Sequence, residues 1–390
     1  MNTPAPLAAG YPRIGIVGGG QLARMMHQAS VGLGIGVRVL ATEAGESAAQ
    51  VVHDVAIGRH DDLDALLAFS QGLDVVTFDH EHVPPQYLEQ LQAQGVAVRP
   101  GPHALVCAQD KAVMRQRLSE IGIPCPKWAI VSNLEQGLEF GDRVGWPFML
   151  KTSRGGYDGK GVWTVASEDD LERILDYVVL PPHAVWLAEE RVAFQQELAA
   201  QVARSPHGQV AAYPIVRTVQ TDGICTEVIA PAPGLDPDRA VEAQRMAIQI
   251  ATALDCTGML AVELFDTGDA LLVNELAMRP HNSGHWSIDG ARTSQFENHL
   301  RAILDLPLGS PTALAPWTVM VNVLGGPADE IYSAFRHCLA RDPGLRIHMY
   351  GKDVRAGRKL GHVTVTSDDL DDALRRARHA AGYLAGTIEE

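Results

Sequence analysis

Between Gly258 and Trp286 the chain reads GMLAVELFDTGDALLVNELAMRPHNSGHW, and this stretch constrains the fold more than any other. Two apolar runs, Met259–Phe265 and Ala270–Leu276, flank a Thr-Gly-Asp turn signal and predict a β-hairpin. Each run carries one carboxylate, Glu263 and Glu275, and a hairpin closing around residue 269 sets the two opposite each other. Directly opposed side chains lie about 5 Å apart at Cβ, and like charges at that spacing destabilise a sheet unless something neutralises them. A hard divalent cation does so, and Mg²⁺ is commonly held by one or two carboxylates together with substrate phosphates. The following Arg279-Pro-His-Asn-Ser-Gly-His-Trp286 run places a cation, two imidazoles and an amide in one loop, a composition suited to binding rather than packing.

The N-terminal part alternates strand-like and helical segments. Arg13–Val17, Val37–Ala41, Asp74–Phe78 and Val96–Val98 read as strands, with helices at Gln21–Gly32, Asp61–Ser70 and Pro85–Gln94. This is a β/α unit with a parallel sheet, ending near Pro100-Gly101-Pro102. Ala104–Ile121 reads as one amphipathic helix carrying Asp110 and Lys111. Short strands follow, then a strand-rich region interrupted by a helix at Asp238–Leu254, and a C-terminal segment closed by a helix at Ser367–Ala385.

Two glycine clusters stand at strand ends. Gly18-Gly-Gly-Gln-Leu-Ala23, with Glu43 further on, has the outline of a dinucleotide fingerprint. Glycines at a helix N-terminus hold any phosphate, or simply make a turn, so this signal is weak. The second cluster is stronger: Lys151 ends an apolar strand, and Gly155, Gly156, Gly159 and Gly161 follow, with Lys160 among them. A glycine-dense loop after a strand lets backbone N–H groups wrap phosphate oxygens, with the lysines as countercharge. It is not a Walker A loop. Tyr157 and Asp158 are unusual in a mere spacer.

Other polar runs are ambiguous alone. Glu189-Glu190-Arg191-Val192 and Glu197 are either a nucleotide edge or a solvated acidic strand end. Asp79-His80-Glu81-His82 reads as a polar loop facing a ligand cleft, since adjacent residues alternate in direction and do not share a metal. Lys352-Asp-Val-Arg-Ala-Gly-Arg-Lys359 is a basic island in a chain of net charge −15, a phosphate site or a solvated loop. That acidity argues against a general nucleic-acid or anionic-membrane binder. The length of 390 residues allows two or three domains. Cys107, Cys125, Cys225, Cys256 and Cys338 are scattered without a CxxC pair, which suggests reduced thiols and a cytoplasmic location. No apolar stretch approaches the roughly 18 residues of a membrane span. The first residues lack the pattern of a signal peptide and read as a disordered lead-in.

Lys111, Lys151 with its loop, the Glu189–Glu197 segment and the Glu263/Glu275 pair occur in the order seen in ATP-grasp ligases. GGGQLARM, LKTSRGGYDGKG, VELF, NELAMRPHNSGHW and YGKDVRAGRKLGHV together closely resemble the 5-(carboxyamino)imidazole ribonucleotide synthases of bacterial purine biosynthesis, over roughly residues 13–366. The resemblance implies an α/β and α+β chain: an ATP-grasp fold with an N-terminal Rossmann-like (pre-ATP-grasp) parallel-sheet domain, a small lid domain and a C-terminal α+β domain. The boundaries it suggests are 1–103, 104–188 and 189–390.

It also implies a reaction, in which ATP phosphorylates bicarbonate to carboxyphosphate and the carboxyl group passes to the exocyclic amine of 5-aminoimidazole ribonucleotide. Lys111 and Lys151 would hold ATP phosphates under a lid of Gly156, Tyr157, Asp158, Gly159, Lys160, Gly161 and Val162. Glu189, Glu190, Arg191 and Val192 would bracket adenine, Glu197 would bind the ribose hydroxyls, and Gln220 and Asn274 would lie beside the nucleotide. Glu263 and Glu275 would ligate Mg²⁺, as one ion or two. Gly20, Gln21, Leu22 and Glu81 would face the ribonucleotide, with Lys352, Arg358 and Lys359 reaching its phosphate. Arg279, His281 and Asn282 are candidates for bicarbonate. Asp158, Tyr157 and His285, with Lys352 nearby, are candidates for handling the amine. The resemblance further suggests a homodimer.

Departures from the family pattern are His82 for a common Asn, Gln220 for a common His and Asp79 for a common Glu. Competing readings are the formate-dependent glycinamide ribonucleotide transformylase, an NAD-dependent oxidoreductase resting on the first glycine turn, and a non-catalytic nucleotide-binding scaffold.

Overall fold

The computed structural model describes residues 8–156, 160–328 and 330–388. Its first unit is a five-stranded parallel sheet in the order Asp54–Ile57, Gly36–Ala41, Arg13–Val17, Val75–Phe78, Ala97–Val98. The strand order reverses between Arg13–Val17 and Val75–Phe78, so their C-terminal ends, Gly18–Gln21 and Asp79–His82, share the crevice where open α/β sheets bind ligands. The strand Asp54–Ile57 carries no strong apolar alternation and was not expected from the sequence.

The reading of one helix over Ala104–Ile121 is corrected. Two helices, Pro102–Gln109 and Lys111–Glu120, meet at Asp110, whose backbone is extended. The Asp110 carboxylate accepts from Ala112 N and Val113 N at 3.0 and 3.3 Å, capping the second helix. Arg154 Nε donates to its other oxygen at 2.7 Å, and Lys111 N donates to Ser153 O at 2.8 Å. The break therefore ties this segment to the glycine-rich loop and turns Lys111 toward the cavity described below.

A four-stranded antiparallel sheet comes next, in the order Trp128–Val131, Trp186–Glu190, Phe148–Thr152, Val162–Val165. The helices Leu134–Val144 and Glu168–Tyr177 bury one face of it around Phe140, Phe148 and Leu171. The other face carries Lys151 and Glu189. The largest sheet runs Leu271–Ala277, Gly258–Asp266, Gln196–Arg204, Val216–Thr221, Ile224–Ala230, Trp317–Leu324, Lys359–Ser367, Arg346–Met349, with Val210–Ala212 beside Gln196–Arg204.

Buried apolar clusters join these units. Leu88, Leu105, Met114, Ile250, Leu260 and Leu276 share one core, which ties the first sheet's helices to the hairpin. The helix Gln295–Ile303 packs Phe296, Leu300 and Ile303 against Leu22, Met26 and Ile14 of the first unit. His299, on that helix, accepts from Met259 N at 3.1 Å, and its other ring nitrogen meets Thr77 Oγ1 at 2.8 Å. Burial pushes this imidazole down to about 3, so it serves as a neutral bridge. Among the described residues no helix is long and apolar enough to cross a membrane. All five cysteines are free thiols.

Candidate active site

The hairpin forms, and its register refines the sequence reading. Thr267 N bonds to Ala270 O at 3.0 Å, and Asp266 pairs with Leu271, a register that would set Glu263 opposite Asn274. A bulge beside Glu263 absorbs Asn274 and shifts the pairing by one, so that Glu263 does face Glu275. Asn274 Nδ2 then donates to Glu263 Oε2 at 3.3 Å, and Asn274 O accepts from Arg115 Nη2 at 2.8 Å.

A cavity of about 1050 Å³ opens between the hairpin, the four-stranded sheet and the C-terminal end of the first sheet. Lys111 Nζ binds Glu275 Oε1 at 2.6 Å, and Lys151 Nζ binds Glu189 Oε2 at 2.5 Å. Glu189 is also held by Arg115 Nε at 2.6 Å, a pair fully removed from solvent. Burial alone would raise the Glu189 carboxyl, but Arg115 and Lys151 outweigh it and hold it near 2. Arg115 was not singled out from the sequence. Its position one helical turn after Lys111, on the same face, is the signal that points to it.

Glu263 behaves differently. Burial, then the charges of Glu275 and Glu197, push its carboxyl up to about 7, against the opposing pull of Lys111 and Asn274. Three carboxylates thus share this end of the cavity with too little positive charge between them. This charge deficit fits a divalent cation. No group of three His, Cys, Asp or Glu among the described residues surrounds a metal position, so oxygens from a substrate would complete the shell.

Glu190, Arg191, Val192, Glu197 and Gln220 line the same cavity, as do Gly156 and Val162 of the glycine loop. Gly161 adopts φ 73°, and a Cβ there would meet Thr152 Oγ1 at 2.7 Å; glycine lets the loop return onto its own strand. Lys160 and Gly161 are not in the cavity wall, and Tyr157, Asp158 and Gly159 lie outside the described residues.

Adjoining the carboxylates, the cavity is lined by Glu81, Arg279, His281, Asn282 and Lys359. Arg279 Nε bonds Glu81 Oε2 at 2.8 Å, joining the hairpin's exit to the first sheet. His281 Nδ1 lies 2.8 Å from Ser283 Oγ, and its Nε2 approaches Glu263 Oε1 at 3.6 Å. Burial, Arg279 and Lys359 lower this imidazole to about 3, so it is neutral. Gln295, absent from the sequence reading, fixes the loop: its Oε1 accepts from His281 N at 2.9 Å and its Nε2 donates to His281 O at 2.8 Å.

Three expectations need correction. The Gly18–Gly20 turn does not present a vacant helix terminus, because Asp79 accepts from Gly20 N at 2.9 Å and Ala23 N at 2.8 Å. With this carboxylate seated on the helix dipole, a dinucleotide pyrophosphate has no place there. Leu22 is 6% exposed and packs in the core, so its side chain faces no ligand. His285 is 1% exposed and absent from the cavity wall, with its Nδ1 on Gln295 Nε2 at 3.0 Å.

Gly20, Gln21, Lys352 and Arg358 lie beside the cavity rather than in its wall. Lys352 Nζ donates to Gln21 Oε1 at 2.5 Å, and Ser47 Oγ donates to Tyr350 O at 2.6 Å, so the basic loop is strapped across the first sheet's crevice. Burial and then Arg358 lower the Lys352 ammonium.

The architecture has known counterparts. An ATP-grasp domain model matches residues 116–296, a ribonucleotide synthetase preATP-grasp domain model residues 12–109, and a phosphoribosylaminoimidazole carboxylase C-terminal domain model residues 318–376. The chain is 53% identical over 388 residues to N5-carboxyaminoimidazole ribonucleotide synthase of Mycobacterium tuberculosis, covering 98% of this chain and 90% of that one. The corresponding crystal structure from Thermus thermophilus superposes with a TM-score of 0.84 at 37% identity, covering 97% of this chain and 99% of that one. The enzyme of Aspergillus clavatus, solved with ADP and 5-aminoimidazole ribonucleotide, gives 0.87 at 32% identity, with 97% and 99% covered. Shared sequence, domain order and fold over nearly the whole length establish that this chain belongs to the N5-carboxyaminoimidazole ribonucleotide synthase family of ATP-grasp enzymes.

Proposed function

We propose that the protein is an ATP-dependent ligase that carboxylates 5-aminoimidazole ribonucleotide through carboxyphosphate, releasing ADP and phosphate. The observation that carries this reading is one continuous cavity in which the carboxylate pair Glu263 and Glu275, with Lys111, adjoins Arg279, His281 and Asn282. The family assignment supplies the substrates.

Lys111 and Lys151 exchange their carboxylate partners for ATP phosphates, and the amides around Gly156 close over them. Glu197 takes the ribose hydroxyls, and the Glu189–Val192 strand end meets adenine. Glu263 and Glu275 would hold Mg²⁺, which supplies neutralisation of phosphate charge. Phosphoryl transfer needs positioning and charge compensation above all, and these residues provide both. Arg279, kept in place by Glu81, orients bicarbonate with His281 and Asn282. Carboxyphosphate hydrolyses readily, so the closed loop must exclude water while the amine approaches. Lys352, Arg358 and Lys359 bring positive charge to the ribonucleotide's phosphate, and Gln21 positions Lys352.

ADP release from Mg²⁺-ATP and bicarbonate, with and without 5-aminoimidazole ribonucleotide, tests the reading. Release is expected to depend on the ribonucleotide and to be matched by one carboxylated product per ADP. ADP release indifferent to the ribonucleotide contradicts it.

A further inference from the structure

His281 lies on the loop that leaves the hairpin, and its backbone and one ring nitrogen are already engaged, which decides what the other ring nitrogen can do. Gln295, fully buried, holds the His281 backbone on both sides, with Oε1 accepting from His281 N at 2.9 Å and Nε2 donating to His281 O at 2.8 Å. Gly284 N donates to the same carbonyl at 2.9 Å. The closeness of this clamp explains Gly284, where a Cβ would run into Gln295 Oε1.

The ring is set by the short 3₁₀ turn that follows, Asn282–Gly284. Ser283 N donates to His281 Nδ1 at 3.4 Å, so the imidazole caps this turn, and Ser283 Oγ lies 2.8 Å from the same nitrogen. A backbone N–H can only donate, so Nδ1 is an acceptor and carries no proton. The hydroxyl agrees: Gln201 Nε2 donates to Ser283 Oγ at 2.7 Å, which leaves the hydroxyl proton for Nδ1. Ser283 is fully buried and Gln201 is 1% exposed. With Nδ1 bare, the ring's single proton is on Nε2. This N–H stands in the cavity wall beside Glu263, whose Oε1 is 3.6 Å away, longer than a hydrogen bond. In this tautomer the imidazole offers the cavity a donor and no lone pair.

We propose that Ser283, Gln201 and Gln295 are positioning residues that fix His281 as an Nε2–H donor to an oxygen of bicarbonate, so that His281 is not a base in the reaction. The inference rests on the proposed carboxylation. In the transfer step the amine lone pair forms the N–C bond while the C=O pair moves onto oxygen. That pair returns as the C–O bond to phosphate breaks, and the leaving phosphate takes the amine proton. No proton has to reach His281. The step gains from a fixed donor at the oxygen that acquires charge, and an N–H held from behind supplies one without reorienting.

Proton–nitrogen correlation spectra of the full-length protein, with ¹⁵N in its histidine rings, read the tautomer directly. The His281 signals are identified by their absence from His281→Asn. We expect a protonated Nε2 and a bare Nδ1 in the parental protein; a proton on Nδ1, or on both nitrogens, overturns the proposal. Kinetics supply the second arm. Ser283→Ala should raise the KM for bicarbonate roughly threefold to tenfold, with the KM for ATP and the Mg²⁺ requirement within about twofold. His281→Gln, whose amide reaches the Nε2 position with a donor, should retain roughly threefold or more kcat/KM for bicarbonate over His281→Asn, which keeps an acceptor for Ser283 N but no donor that far out. Equal losses in the two His281 variants, or a Ser283→Ala defect that follows Mg²⁺ rather than bicarbonate, overturn the role. The spectra and the His281 pair decide the matter even where Ser283→Ala fails to fold. A parental protein without ribonucleotide-dependent ADP release overturns the ligase reading and the bicarbonate role with it, while the spectra still report the tautomer.

Discussion

Glu275→Gln is expected to lower ribonucleotide-dependent ADP release by roughly 10²–10³-fold or more, with the melting midpoint moved by no more than a few degrees. The chemistry loses a charged oxygen at the point where phosphate charge is compensated. Lys111, whose ammonium rests on Glu275 Oε1 at 2.6 Å, also loses the partner that aims it. Stability changes little because two effects oppose. The Lys111 pair is broken, but the repulsion between Glu275 and Glu263 is relieved as well, and the Glu275 side chain is 43% exposed in the cavity. Raising Mg²⁺ should recover part of the rate if the defect is weakened metal binding. A variant with parental turnover at ordinary Mg²⁺ contradicts the assignment of Glu275 to the metal.

Arg115→Leu is expected to act on stability first. Its guanidinium touches Glu189 on the four-stranded sheet and Asn274 O at the hairpin bulge, with 1% exposure of its side chain, and so joins three elements. Removing one partner of a buried ion pair costs about 3–5 kcal/mol because the other charge is left unpaired. Lys151 remains on Glu189, which places the loss toward the lower end of that range. Urea titration of the two proteins checks it through the shift in midpoint. A pH dependence follows from the same pair. Glu189 is held near 2 in the fold against an ordinary value of 4.5, so its contribution is complete above about 4.5 and drains away as pH falls toward 2. The parental protein should therefore lose stability through that acid window more steeply than Arg115→Leu. Identical slopes would contradict the buried triad.

Much of the site was legible because its chemistry is concentrated in short runs. The hairpin with Glu263 and Glu275, the glycine loop after Lys151 and the loop from Arg279 to Asn282 lie on local patterns, and the cavity gathers them. The opposition of the two glutamates was anticipated, but from an unbroken ladder; the bulge at Asn274 that produces it leaves no turn signal in the sequence. What escaped depends on contacts between distant segments. Asp79 fills the helix terminus behind Gly18–Gly20 from more than fifty residues away, so the glycine pattern alone cannot reveal that the anion site is already occupied. The basic loop reads as a solvated run until Gln21, Ser47 and Gln50 are seen to fasten it to the first sheet. His285 looked catalytic by its neighbours in sequence, whereas its ring turns inward onto Gln295 and His362. Asp110 shows how one residue can divide a helical run, since its backbone breaks the run while its side chain caps the second helix.

In the proposed reaction one intermediate is formed and consumed within one cavity, where Arg279 and His281 adjoin Glu263 and Glu275. Turnover with bicarbonate labelled by ¹⁸O, followed by mass analysis of the inorganic phosphate, tests this most directly. A bicarbonate oxygen that attacks the γ-phosphorus stays on phosphorus when the carboxyl group is transferred. One ¹⁸O is expected in each phosphate released per carboxylated ribonucleotide. Unlabelled phosphate accompanying carboxylated product would contradict it.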